Sequence, residues 1–386
     1  MTWLSYLNAA LATRHQQHAY RQRPIRQADA LLPICHIDGQ RYLNFAANDY
    51  LGLSHDETVI AAWQHALTRY GVGSGGSALL GAYTDVHASL EHFLADWLGY
   101  ERALLFPSGF AANQALLLGL LDGDAVLLAD KLCHASMQEA AQLSPALVRR
   151  FAHQRLDILA NYLAQYQGKR ILVASEGVFS MDGDQADVQG LSALCQQYGA
   201  WLVLDDAHGI GVLGAEGKGS AAAANVLPDV LVLTFGKALG SMGAAVLCNH
   251  TTAEYLTQFA RHLIYSTAIP PAQAAGLLAA FERIRMADDL RTQLQHNIHL
   301  FRQTLSDKGL AHALMPSHTA IQPFFCGSNE MALRLSAQLK ERGYYVPAIR
   351  PPTVPQGKAR LRITLSAAHQ PQHILQLCEA LYDACR

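Results

Sequence analysis

No apolar run in this chain of 386 residues reaches the roughly 18–20 needed to cross a bilayer, so no membrane-spanning helix is expected. The opening Met1-Thr-Trp-Leu-Ser-Tyr6 lacks the basic head and long apolar core of a signal peptide, and a cytoplasmic protein is expected. Cysteine is sparse. The seven, at 35, 133, 195, 248, 326, 378 and 385, form no C-x-x-C pair and are too few to staple a chain this long, so free thiols are expected. Long basic runs are missing too: 29 basic against 31 acidic residues leave a net charge of −2, which argues against nucleic acid as the main partner. The 18 histidines are scattered, and no metal site is expected. Internal repeats, low-complexity tracts and disordered linkers are also lacking.

What is present is apolar material, 51% of residues against 16% charged, enough for one large core or two fused ones. Leu4, Leu7, Leu11, Arg14 and His18 alternate at helical spacing and predict an amphipathic N-terminal helix ending before Pro24. Strand-like runs then alternate with helical ones: Ala103–Phe106, Ala125–Ala129, Arg170–Ala174, Trp201–Leu204, Val230–Leu233 and Ala244–Cys248. That alternation predicts an α/β fold with a mostly parallel central sheet covered by helices. Beyond Pro270-Pro271 the pattern changes to a long alanine-rich helix, then short strands near Ala320–Phe325 and Leu361–Thr364. The expected organisation is an N-terminal helix and segment over 1–50, a large domain over 51–283 and a smaller α+β domain over 284–386.

Lys237 stands where the apolar run Val230–Thr234 meets a glycine-flanked turn. A lysine at the edge of an apolar layer loses hydration, and its neutral amine can attack an aldehyde to form a Schiff base. A snorkelling lysine at a strand end would look the same. A second run, Trp201–Leu204, ends in Asp205, Asp206 and, after Ala207, His208. Open α/β sheets bind ligands at the carboxyl ends of their strands, so one parallel sheet would bring Asp205, His208 and Lys237 to a single crevice. Pyridoxal phosphate requires such a set: an amine, a carboxylate to keep the pyridine nitrogen protonated, and a hydrogen bond to the phenolic oxygen. Taken singly, Asp205 also reads as a helix cap and His208 as a core histidine.

Two glycine-rich stretches, Gly71–Gly76 and Gly209–Gly214, fit G-x-G-x-x-G. Neither sits between a strand and a helix as a dinucleotide fingerprint must, so nicotinamide binding is set aside.

Over nearly its whole length the chain resembles the α-oxoamine synthases, which are fold-type I pyridoxal phosphate enzymes. The carriers are Asn48-Asp-Tyr-Leu-Gly52, Gly73-Ser-Gly-Gly-Ser77, Ser108-Gly-Phe-Ala-Ala-Asn113, Glu176-Gly-Val-Phe-Ser-Met-Asp-Gly183, Asp205-Asp-Ala-His208 and Thr234-Phe-Gly-Lys237. His262-Leu-Ile-Tyr-Ser-Thr267, Arg350-Pro-Pro-Thr-Val-Pro355 and Arg360-Leu-Arg-Ile-Thr364 resemble the branch that condenses L-alanine with a pimeloyl thioester. The carrier of the thioester stays open between coenzyme A and a carrier protein. A sister branch using glycine shares nearly every motif, and a non-catalytic subunit that has kept the fold is the remaining alternative.

The resemblance implies pyridoxal 5'-phosphate as cofactor, with Lys237 as Schiff-base residue, Asp205 on the ring nitrogen and His208 on the phenolic oxygen. It places His134 over the ring, although a capping or merely buried histidine is the plainer reading. Gly109 and Phe110, after the run Ala103–Phe106, would open a helix whose unpaired amides hold the phosphate, with Ser108 as an ordinary cap the alternative. Thr234 would add a hydroxyl, and Glu176 and Ser180 would lie near the cofactor. Ser266 and Thr267 would reach the phosphate of the neighbouring subunit in a homodimer with shared sites. For substrate, Arg362 with Asn48 would hold the α-carboxylate, and Arg21, Arg350 and Thr353 would line the acyl entrance, against the usual reading of single arginines as weak surface ion pairs.

Overall fold

The computed structural model describes residues 2–27, 29 and 31–386. The chain forms two compact units: one holds Leu51–Ser180 and Asp184–Arg291, the other the residues up to Tyr50, Met181–Gly183 and Thr292–Arg386. The residues up to Tyr50 share a unit with the C-terminal residues, and the boundary after the large unit falls at 291/292. The cause is backbone pairing. Strand Gln40–Asn44 pairs in parallel with Tyr344–Tyr345, and the Thr364 amide donates to the Phe45 carbonyl at 2.8 Å.

The larger unit is built on seven strands: β1 Arg102–Phe106, β2 Ala125–Asp130, β3 Leu147–Phe151, β4 Arg170–Glu176, β5 Trp201–Asp205, β6 Val230–Thr234 and β7 Ala244–Cys248. They lie in the order β1-β7-β6-β5-β4-β2-β3, and only β7 runs against the rest. Alternation along the strands splits the core between the two faces. Leu127, Leu172 and Val203 pack with Leu116 and Met137 on one face; Val126, Leu128, Val173 and Leu202 pack with Leu159, Leu163 and Leu191 on the other. The central strands read as continuous apolar runs because both faces are covered. Strand β3 had no such signal: it pairs only with β2, and its Arg149 and Arg150 are exposed.

The smaller unit carries the hairpin Ile34–Ile37 and Gln40–Asn44, and a three-stranded sheet of Ile321–Gly327, Ala359–Thr364 and Ala348–Ile349. The N-terminal helix, Trp3–Gln16, starts on a Thr2 cap and has no buried residue; Trp3, Leu4, Leu7 and Leu11 are all exposed. No helix among the described residues is long and apolar enough to cross a membrane.

Candidate active site

Because β1, β2, β4, β5 and β6 run the same way, their carboxyl ends open on one rim. Register aligns Glu176 of β4 beside Asp205 of β5, and Asp205 beside Val232 of β6. Lys237 follows β6 by one turn, and its Nζ donates to Thr234 Oγ1 at 3.0 Å. Asp205 is buried; its Oδ1 accepts from the Ala207 amide at 3.0 Å and its Oδ2 from Asn113 Nδ2 at 2.7 Å. His208 is buried in the turn that follows.

His134 stands in the turn after β2 and caps the helix Ala135–Leu143, its Nδ1 accepting from the Ser136 amide at 3.3 Å. The capping reading is thus realised, and it occupies one ring nitrogen. Burial lowers the imidazole pKa and nearby Lys237 lowers it further, outweighing the opposite pull of Asp205. Glu176 is pushed well above the ordinary carboxyl range by burial and then by the charge of Asp205. Its carboxyl accepts from the backbone amides of His134 and Ser180, which ties the turns after β2 and β4 together.

Across the rim, helix Gly109–Leu120 begins beside β6. A Cβ on Gly109 would lie 2.4 Å from Thr234 Cγ2, so only glycine brings this helix start so close. Ser108 is the N-cap, accepting from the Ala111 amide at 3.1 Å, and the ring of Phe110 meets that of His134 edge-on with centroids 6.4 Å apart.

These residues fit pyridoxal phosphate. The helix start at Gly109 supplies amide donors for a dianion; Lys237, Asp205 and His208 supply an amine, a carboxylate and an imidazole. Asn113 Oδ1 and Glu176 Oε1, both buried, have no hydrogen-bond partner among the described residues, which is uncommon for polar atoms unless a ligand completes the set.

The other predicted residues fall into three groups. Arg362 is buried on the strand Ala359–Thr364, and its Nη1 donates to Asn48 Oδ1 at 3.0 Å and Thr364 Oγ1 at 2.9 Å. Burial beside Arg362 leaves the Tyr50 hydroxyl raised to about 12, because desolvation outweighs the cation. Arg21 Nη2 donates to Thr353 Oγ1 at 3.3 Å, and Arg350 donates to the His18 carbonyl. Burial lowers the Arg350 pKa, and the charge of Arg21 lowers it further. Thr267 bridges to Ser77, and Ser266 Oγ contacts His262 Nδ1 at 3.5 Å.

Sequence reasoning gave no role to Asn113, Ser136 or Asp206. Asn113 carried a signal, being a polar residue on the first apolar turns of the helix already singled out. Asp206 turns away from Asp205: its carboxyl accepts from the Ser220 amide at 2.7 Å and from the Ser220 hydroxyl. It is enclosed by Gly177, Gly209 and Gly219, where a Cβ would approach its oxygens to 2.5, 2.1 and 1.9 Å. That close packing is what Gly209 of the rejected dinucleotide motif provides.

Residues 40–381 match the family model for aminotransferase class I and II. The chain is 55% identical over 383 residues to 8-amino-7-oxononanoate synthase of Serratia proteamaculans, covering 99% of each, and 51% identical over 387 residues to that of Pectobacterium atrosepticum, covering all of each. Among solved structures it resembles serine palmitoyltransferase of Sphingomonas wittichii, with a TM-score of 0.92, 29% identity and coverage of 100% of this chain and 98% of that one. It also resembles 8-amino-7-oxononanoate synthase of Francisella tularensis, with a TM-score of 0.77, 32% identity and coverage of 89% and 97%. The chain belongs to the class I and II aminotransferase family, among the 8-amino-7-oxononanoate synthases.

Proposed function

We propose that this enzyme is a pyridoxal phosphate-dependent acyltransferase that condenses L-alanine with a pimeloyl thioester, giving 8-amino-7-oxononanoate, carbon dioxide and the free thiol. The observation that carries the reading is the convergence of Lys237, Asp205, His208 and His134 on one rim of the sheet, beside a helix start built on Gly109. The names of relatives at 51–55% identity favour the alanine branch over its glycine-using sisters.

Pyridoxal phosphate, when bound, supplies an electron sink for the pair left as the Cα–H bond of alanine breaks and again as carbon dioxide leaves. Lys237 carries the cofactor and, once released as an amine, takes the Cα proton. Asp205 holds a proton at the pyridine nitrogen, and His208 donates to the phenolic oxygen. The amides of Gly109 and Phe110 hold the phosphate, joined by Thr234. His134 would lie over the ring and fix its plane, with Ser180 and Glu176 nearby. Arg362 and Asn48 take the α-carboxylate through a charge-assisted pair. Arg21, Arg350 and Thr353 receive the acyl donor, whose thioester is carried by coenzyme A or a carrier protein. The enzyme works as a homodimer in which Ser266 and Thr267 of one chain complete the phosphate site of the other, in the cytoplasm.

The test is product mass from cofactor-loaded protein given pimeloyl-CoA with L-alanine or with glycine. Formation of 8-amino-7-oxononanoate with alanine supports the reading; turnover confined to glycine moves the enzyme to a sister branch, and no product with either contradicts it.

A further inference from the structure

We infer that Asn113 is a positioning residue that sets two cofactor-facing groups at once, the carboxylate of Asp205 and, through the hydroxyl of Ser136, the ring of His134. The inference rests on the reading above for what those two groups face. Its geometry does not. Asn113 Nδ2 lies 2.7 Å from Asp205 Oδ2 and 3.0 Å from Ser136 Oγ, and Ser136 Oγ lies 2.8 Å from His134 Nδ1. Asn113, Ser136 and Asp205 are all buried, at 1%, 0% and 4% exposure, so water does not compete for the two bonds that Asn113 makes, whereas His134 itself is exposed.

The direction of each bond follows from what each group can do. A carboxylate oxygen only accepts, so the amide turns its nitrogen toward Asp205. Both Nδ2 hydrogens are then spent, one on Asp205 and one on Ser136. Having accepted from Asn113, the serine hydroxyl has its single hydrogen to give, and His134 Nδ1 takes it. The Ser136 backbone amide also donates to Nδ1, at 3.3 Å. Nδ1 is an acceptor twice over, so the ring proton sits on Nε2. A leucine or alanine at 113 would preserve the apolar face of the helix but break this chain at its first link. The turn after β2, the helix after β1 and the end of β5 are thus joined through one amide.

Three charged or titratable groups also face His134: Asp205 and Lys237 through space, and Glu176, whose carboxyl accepts from the His134 backbone amide. All three persist in the variants that test the idea. The experiment is nitrogen NMR of histidine-labelled, cofactor-free protein, with the His134 signal assigned by its loss in His134→Gln. The wild type should show His134 as the Nε2–H tautomer. In Asn113→Ala the serine hydroxyl loses the donor that turns its hydrogen toward His134 and can accept from a protonated Nδ1 instead, and in the near-isosteric Ser136→Ala that hydrogen is gone; either change weakens or removes a bond that favours the neutral ring. The His134 pKa should rise by about half a unit to one unit in both, the worth of one neutral hydrogen bond. Pyridoxal phosphate should also bind Asn113→Ala roughly tenfold or more weakly, because Asp205 loses a donor to its charge. Folded variants in which the His134 pKa stays at its wild-type value would overturn the inference; the tautomer should persist, because the Ser136 backbone amide still donates to Nδ1. If those shifts appear while the loaded wild type makes no product, the positioning role stands and the functional reading fails.

Discussion

Asp206 shows how much a single buried carboxyl determines. Burial pushes its pKa to about 7, against the opposing hydrogen bonds from Ser220. A carboxyl raised in the folded state binds its proton more tightly there than in the unfolded chain. Its contribution to stability is therefore complete below the unfolded value near 3.8 and is lost as pH rises through about 7. Asp206→Asn removes that titration, so thermal midpoints measured from pH 4.5 to 8 should fall more steeply for the wild type than for the variant, by the equivalent of a few kcal/mol at about 1.4 kcal/mol per pKa unit. Parallel profiles would contradict the assignment. Gly219, at φ +94°, is the tightest wall of the same cage. Gly219→Ala should cost at least about 2 kcal/mol in denaturant unfolding, since it adds both a clash and a strained backbone. The sequence exposed Lys237, Asp205 and His208 because each ends or closely follows an apolar strand. It hid the partition of Asp205 and Asp206, because which carboxyl faces the rim depends on a serine and glycines brought from distant segments.

The strands of the central sheet were legible where both faces are buried and illegible where they are not. Val230–Thr234 announces itself as an apolar run, whereas β3 lies at an edge with Arg149 and Arg150 exposed and offers no such run. The hydrogen bond from Asn113 to Asp205 joins helix to strand across the fold, and no local pattern encodes it. The turns after β2, β3 and β4 are fastened by a different residue, His153. Its Nδ1 lies 3.0 Å from Asp130 Oδ1 and its Nε2 lies 2.7 Å from Asp184 Oδ2. Both nitrogens thus donate to carboxylates, which requires the imidazolium. Burial alone would lower the pKa, but the bonds to Asp130 and Asp184 outweigh it and hold the group at about 10. The stabilisation is complete below about 6.5 and is lost as pH rises through about 10. His153→Gln should lower stability by about 2 kcal/mol at neutral pH, the worth of a charge-assisted bond, with the deficit shrinking toward pH 10 in calorimetry. A deficit that does not change with pH would show that the ring acts by packing alone.

At the scale of the molecule, the residues up to Tyr50 group with the C-terminal residues through backbone pairing to Tyr344–Tyr345 and Thr364, which is non-local and leaves no mark in the local sequence pattern. The helix that begins the chain has no buried residue, and exposes Trp3, Leu4, Leu7 and Leu11. Contiguous apolar exposure of this kind suits a second copy of the chain, as the proposed shared-site homodimer would supply. Mixing Lys237→Ala chains with Ser266→Ala/Thr267→Ala chains should then restore part of the activity that each lacks alone, because the mixed dimer contains one complete site. No recovery in dimers shown by mass to be mixed would count against sharing. Whether Lys237 carries the cofactor can be read by chemical trapping. Cofactor-loaded protein is reduced with borohydride, digested, and mapped by mass spectrometry. A pyridoxyl adduct is expected on the peptide bearing Lys237 and none in Lys237→Ala. An adduct on a different lysine, or no adduct in protein that retains its cofactor, would contradict that role of Lys237.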